Sequence, residues 1–162
     1  MAGSTYLPTG THHSLMLLHQ LDRIARRRKE IALEPLDLRP RQAVALMILR
    51  DHGAMTQAAL GETLSLDPAN LVGLLNELEE RELLDRRRDP EDRRRHIVEL
   101  SPAGEATLAR AEEALRAVQD YVLAGLDEDE RCALHELLLR AAERHVATEG
   151  CVRAAAEDAE PC

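Results

Sequence analysis

Between Thr56 and Asp67 the chain starts two helices eleven residues apart and leaves only SLD to join them. Thr56 suits an N-cap ahead of QAALGETL, and Asp67 caps PANLVGLLNELEER with Pro68 in its first turn. A helix of seven or eight residues is marginal alone, so it must pack on its neighbour. A three-residue joint then forces a steep crossing, the geometry of a helix-turn-helix. Inward positions follow from spacing: Ala59, Leu60 and Leu64 on the first helix, Leu71, Leu74, Leu75 and Leu78 on the second.

Two extended runs come next, LLDRRR and RHIVEL, around DPEDR, and Asp-Pro with nearby acids predicts a two-stranded hairpin. The hairpin carries most of the information in the chain's charge. The protein has 162 residues and a formal net charge of −9, yet residues 86–95 hold six arginines against three acids, a local +3. From residue 149 onward four acids face Arg153 alone, a local −3. An acidic total argues against a nucleic-acid partner, and its segregation argues the other way.

Around this centre the pattern is helical. Leu17, Leu21, Ile24 and Ile31 stripe a first helix from Ser14, with Arg28 interrupting the stripe and His19, Arg23, Arg26 and Arg27 opposite. EPLDLRP breaks it, and a second helix runs from Pro40 to Gly53. Ser101 and Pro102 open a long helix to about Gly125 with a heptad seam at Leu108, Ala111, Leu115, Val118 and Val122. LDEDE starts a last helix to about residue 147, with Leu134, Leu137, Leu138 and Ala141 inward and Leu139 outward. Phe and Trp are absent, so the core must be aliphatic.

The expected fold is mostly α, a winged helix-turn-helix DNA-binding lobe with a two-stranded β wing. The second helix of the pair, residues 68–81, would enter the major groove, and the wing would reach a phosphate ridge or the minor groove. With its leucines inward, Ala69, Gly73 and Asn76 face out, flanked by Asn70 and Val72. Small residues let the helix sit deep, Asn can pair with an adenine edge, and Val can touch a thymine methyl. Thr56 and Gln57 at the start of the first helix join the expected contacts. Arg86, Arg88, Arg93, Arg94 and Arg95 would neutralise phosphates. Asp92 is expected to pair with Arg86 or Arg88 and hold the wing's shape. The bland alternative is a solvated, self-compensated turn.

The stretch MTQAALGETLSLDPANLVGLLNELEERELLDRRRDPEDRRRHIVELSPAGEA resembles the core of MarR-type transcriptional regulators. The tip carries their Asp-x-Arg, and LSPAG matches the L-[ST]-x-x-G that opens the next helix. Glu82 stands where that family usually has Gly, which predicts local strain and no change of fold. The resemblance implies a homodimer on a pseudo-palindromic operator of double-stranded DNA, with Arg94 entering the minor groove. Residues 14–38 and 102–147 would form the helical dimerisation body and 39–101 the DNA-binding lobe. Residues 1–13 are expected to be disordered, and 148–162 to be a mobile acidic tail.

A ligand cleft is implied between body and lobe, lined by the first helix. There Arg28 would receive the carboxylate of a small aromatic ligand, of phenolic or carboxylate type, with His19 and Arg23 as rivals. The simpler reading of Arg28 is an ion pair inside the apolar stripe. His12, His13 and His19 lack a carboxylate cluster, so no metal site is expected. Nor is a cofactor. No phosphate loop, GxSxG or HExxH appears, so no catalysis is expected. No run approaches a membrane span and no signal peptide is visible, so a cytoplasmic protein is expected. The sequence therefore reads as a ligand-responsive DNA-binding repressor. Two readings compete with it: a helical module whose wing binds an acidic protein, and a regulator sensing oxidants through Cys132.

Overall fold

The computed structural model describes residues 13–157. The elements run α1 (Ser14–Leu33), a 3-10 turn (Glu34–Leu36), α2 (Pro40–His52), β1 (Met55–Thr56), α3 (Gln57–Thr63), α4 (Pro68–Glu80), β2 (Leu84–Arg88), β3 (His96–Leu100), α5 (Pro102–Val122) and α6 (Glu128–Glu157). The order of helices and hairpin is the expected one. The sheet is antiparallel and has three strands, in the order β1-β3-β2. The expected two-stranded wing is β2 with β3, and β1 adds a third strand to their sheet, with Met55 paired to Val98 and Thr56 to Ile97. Two residues carry no alternation, so β1 has no local signature.

The chain divides into two units, one through Val122 and one from Leu123. In the first, Leu46, Leu49, Leu60, Leu75, Leu78, Leu84, Val98, Leu108 and Ala111 form one aliphatic core shared by helices and sheet. Arg50 on α2 pairs with Glu112 on α5 across its rim. The apolar row of α1 departs from expectation: Leu17, Leu21, Ile24 and Ile31 remain 36–59% exposed, although α1 packs along α5. In the second unit Leu137 and Leu138, expected inward, are exposed together with Leu139. The helix α6, expected to end near residue 147, continues to Glu157 through the Ala-rich VRAAAE. The expected disordered N-terminus lies outside the described residues except for His13, as do residues 158–162 of the expected tail.

Three helical segments end in the same way, each without glycine. In Schellman closures the N–H after the left-handed residue reaches back five positions. Leu38 N donates to Leu33 O at 3.2 Å, Leu66 N to Gly61 O at 3.0 Å, and Leu83 N to Leu78 O at 2.9 Å. The left-handed residues are Asp37 (φ 50°), Ser65 (φ 50°) and Glu82 (φ 56°). The strain expected at Glu82 is therefore present, and the leucine that follows is buried in compensation.

Immediately beyond, Ser101 bridges the end of α4 to the start of α5. Its hydroxyl donates to Glu82 O at 2.5 Å and accepts from Gly104 N at 2.9 Å. Gly104 allows the approach, because a Cβ there would lie 2.0 Å from Leu83 O. The L-S-P-A-G pattern is thus a helix cap and a contact surface at once.

These features predict opposite outcomes at two sites. Glu82→Gly relieves the left-handed backbone and should stabilise the protein by about 1 kcal/mol. Gly104→Ala forces β2 and α5 apart and should cost about 2 kcal/mol or more. Urea unfolding of both variants measures the difference.

Candidate nucleic-acid interface

The interface begins with two helix caps. Thr56 Oγ1 accepts from Ala59 N at 3.2 Å, and Asp67 Oδ1 accepts from Ala69 N at 3.1 Å and Asn70 N at 3.0 Å. The Asn70 side-chain amide donates to the other Asp67 oxygen. These N–H groups, that of the Asn70 backbone foremost, hold the Asp67 carboxyl below its ordinary value. Between the caps, Gly61 lies so close to Leu71 that an added Cβ would stand 2.7 Å from a Leu71 methyl. That close approach sets the crossing of α3 and α4.

On α4, Leu71, Leu75 and Leu78 are buried, and Ala69, Asn70, Val72, Gly73 and Asn76 lie on the exposed face. The wheel expectation is met in geometry. The surface carries amides, small residues and one valine. Gln57, half-buried, begins α3 behind it.

The wing is β2 and β3 with the loop between them. Leu84 pairs with Leu100, Arg86 with Val98 and Arg88 with His96. Asp89 N donates to Arg95 O at 3.0 Å and Arg95 N to Asp92 O at 2.8 Å, which closes the loop. Asp92 does shape it, but with partners other than those expected. Its carboxylate accepts from Arg94 N at 3.0 Å and stands 3.3 Å from Arg95 Nε. The correction has a local cause: Asp92 lies two and three residues from these groups in a tight turn, while Arg86 belongs to another face.

Period-two alternation puts Arg86 on the side of Leu84, towards the core and α4. Its side chain is only 16% exposed. Arg86 Nη2 donates to Asn76 Oδ1 at 3.1 Å. Its Nε is buried and stands 3.4 Å from Glu79 Oε2, an ion-pair distance without hydrogen-bond alignment. Arg87, on the opposite face, stands 3.6 Å from Glu99. Among the described residues the side chains of Arg88, Arg93 and Arg94 make no ion pair, and all three are exposed. Of the five arginines expected at phosphates, the structure leaves these three free, pairs Arg95 with Asp92, and turns Arg86 onto α4.

The three ligand candidates on α1 do not converge. His19 and Arg23 line an open groove of about 450 Å³ with Leu15, Met16 and Gln20, and Arg28 is not among its walls. The Arg28 guanidinium lies 3.4 Å from the centroid of the Tyr121 ring on α5. The ion pair expected for it is replaced by a cation–π contact. Nothing in the helical spacing of α1 pointed to Tyr121, which lies 93 residues away in sequence. No helix of the described residues is long and apolar enough to cross a membrane.

The Asp67 cap generates a pH prediction. A carboxyl whose folded pKa is lowered stabilises the fold above its unfolded value and loses that stabilisation as pH falls through the folded value. Wild type should therefore exceed Asp67→Asn in thermal stability at neutral pH. The gap should close as the pH falls below the ordinary carboxylate range, near 3.8. A gap that persists unchanged in acid would refute the charged cap.

Comparison with known proteins gives a consistent answer. The family model described as "MarR family" matches residues 38–96, the lobe just described. The HTH-type transcriptional repressor NicR of Pseudomonas putida is 38% identical over 97 residues. That match spans 60% of this chain and 61% of NicR, so the chain covers about three-fifths of this curated relative. A probable transcriptional regulator from Pseudomonas aeruginosa, known from its crystal structure, is 33% identical with a TM-score of 0.69, covering 78% of this chain and 94% of that one. Bordetella bronchiseptica BpsR, whose structure concerns regulation of its DNA binding by 6-hydroxynicotinic acid, is 26% identical with a TM-score of 0.70. There the alignment covers 86% of this chain and 98% of BpsR. With its helix-turn-helix, its Asp-x-Arg wing and these relatives, the chain belongs to the MarR family.

Proposed function

We propose that the protein is a homodimeric, sequence-specific DNA-binding repressor whose hold on its operator is changed by a small aromatic ligand. The observation that carries the DNA reading is the pairing of two surfaces. The exposed face of α4 has no cation, and the neighbouring wing holds Arg88, Arg93 and Arg94 free of carboxylates among the described residues. The helix can read base edges while the wing neutralises phosphates. An acidic chain otherwise repelled by DNA gains one favoured orientation.

Dimerisation is supported by the exposed apolar row of α1 and by Leu137, Leu138 and Leu139 of α6. Exposed apolar residues grouped on one helix, as on each of these two, favour a contact surface. Two copies would set two α4 helices one helical turn of DNA apart, matching an operator with inverted half-sites. A ligand that prefers a different spacing of the two lobes then weakens binding, and only such a preference can. The aromatic carboxylate class is supported by Arg28, whose guanidinium can stack on a ring and pair with a carboxylate. BpsR, with its hydroxynicotinic acid, supports the same class.

Capture of fragmented genomic DNA by the purified protein at physiological salt, followed by sequencing, tests this reading. Enrichment of a short inverted repeat is the expected result. No enrichment by a folded, dimeric protein would favour the protein-interaction reading. On the enriched operator, Arg94→Ala should weaken binding about tenfold or more and lower the salt slope by about one. Arg153→Ala, among the C-terminal acids, should change neither. Equal effects would overturn the placement of the wing.

A further inference from the structure

The two asparagines on the exposed face of α4 are each held at one end by a neighbour. A free asparagine amide turns over at little cost and can show either its donor or its acceptor to a base. A held amide shows one.

For Asn76 the holder is Arg86, whose Nη2 lies 3.1 Å from the amide. A guanidinium only donates, so the end it meets must be the carbonyl oxygen. Turning the amide over would set its N–H groups against those of Arg86. The Nδ2 end is therefore the one left for the groove. Arg86 is itself held, with Glu79 on its other side and most of its surface covered, so this anchor does not swing away.

For Asn70 the holder is Asp67, the cap of α4, and the polarity is reversed. An ionised carboxylate only accepts, so the end it meets must be Nδ2. The same carboxylate also takes the backbone N–H groups of residues 69 and 70, which keeps it in place. The carbonyl Oδ1 of Asn70 is left outward.

The geometry points to Arg86 and Asp67 as positioning residues for sequence readout: Arg86 makes Asn76 a donor that disfavours cytosine, and Asp67 makes Asn70 an acceptor that selects adenine or cytosine. The base chemistry follows from the major-groove edges. Guanine, adenine and thymine each offer an acceptor there, and cytosine offers only its amine. Adenine and cytosine offer an amine to an acceptor, and guanine and thymine do not. This inference rests on the DNA-binding reading above and replaces the two-way pairing of either Asn with adenine as the default expectation. It also removes Arg86 from the set of phosphate contacts.

Selection from a fully randomised synthetic duplex library, read by sequencing, tests it with wild type, Arg86→Met, Arg86→Lys, Asn76→Ala and Asp67→Ser. Wild type should show one half-site position depleted of cytosine and another restricted to adenine or cytosine. Each preference should amount to about tenfold, the size of one hydrogen bond lost with its partner left unpaired. Arg86→Met should return cytosine to parity at the first position only, as Asn76→Ala does. Arg86→Lys, still a donor, should retain the depletion. Asp67→Ser keeps a helix cap and loses the second carboxylate oxygen, so only the second position should relax. An enriched motif that neither Arg86→Met nor Asp67→Ser alters would overturn this inference and leave DNA binding standing. A salt slope lowered by about one in Arg86→Met, with the motif unchanged, would also overturn it, by making Arg86 a phosphate contact. Failure of wild type to enrich any sequence would overturn both readings. If Arg86→Met does not fold, the Asp67→Ser arm decides the outcome alone.

Discussion

The hydroxyl of Ser101 makes two hydrogen bonds, one to the carbonyl that follows α4 and one from the first turn of α5. Those two bonds, with Gly104 pressed against Leu83, fix where the wing leaves the helix-turn-helix and where the long helix begins. The rest of the lobe depends on that placement. The strand β2 starts at Leu84 because Glu82 accepts a left-handed backbone and Leu83 drops into the core. Arg86 then stands two residues further along the inward face, at the height of Asn76 and Glu79. A shift of one residue at the clasp would send Arg86 to the opposite face of the sheet. It would set Arg87 over α4 instead.

Charge in this protein works by position. Six arginines crowd residues 86–95, and their neighbours divide them into distinct roles. Arg86 is spent on α4, Arg87 stands near Glu99, and Arg95 belongs to the loop through Asp92. Those that remain point from the tip and the adjoining strand end. The acids of the wing therefore do not cancel its field uniformly; they fix the loop and leave its outer arginines available. These ion pairs are exposed except at Arg86, so their value lies in geometry more than in stability.

The aliphatic core has a related consequence. Without Phe or Trp, packing between elements relies on many small interlocking contacts of Leu, Val and Ala. Close backbone approaches at Gly61 and Gly104 are what such a core permits. The one large ring described, that of Tyr121, serves outside the core as a platform for Arg28.

Local sequence alone determined the helix pair, its caps at Thr56 and Asp67, the outward face of α4, the position of the hairpin and the segregation of charge. Each of these depends on residues within a few positions of one another, where periodicity, capping and turn chemistry act. The strain at Glu82 was legible only through the family resemblance, which places Gly at that helix end. The tertiary structure decided what joins distant stretches. Met55 and Thr56 become a strand only because β3 offers them a free edge. Asp92 was legible as the wing's organiser, and its partners were not, since strand alternation carried Arg86 away from it. Arg28 found Tyr121 across α1 and α5, where a stripe on a single helix gives no hint of a ring on another. The polarity of Asn76 was settled by an arginine ten residues away on a strand. Such choices depend on which groups folding brings within about 3 Å of each other, and no local pattern encodes that distance.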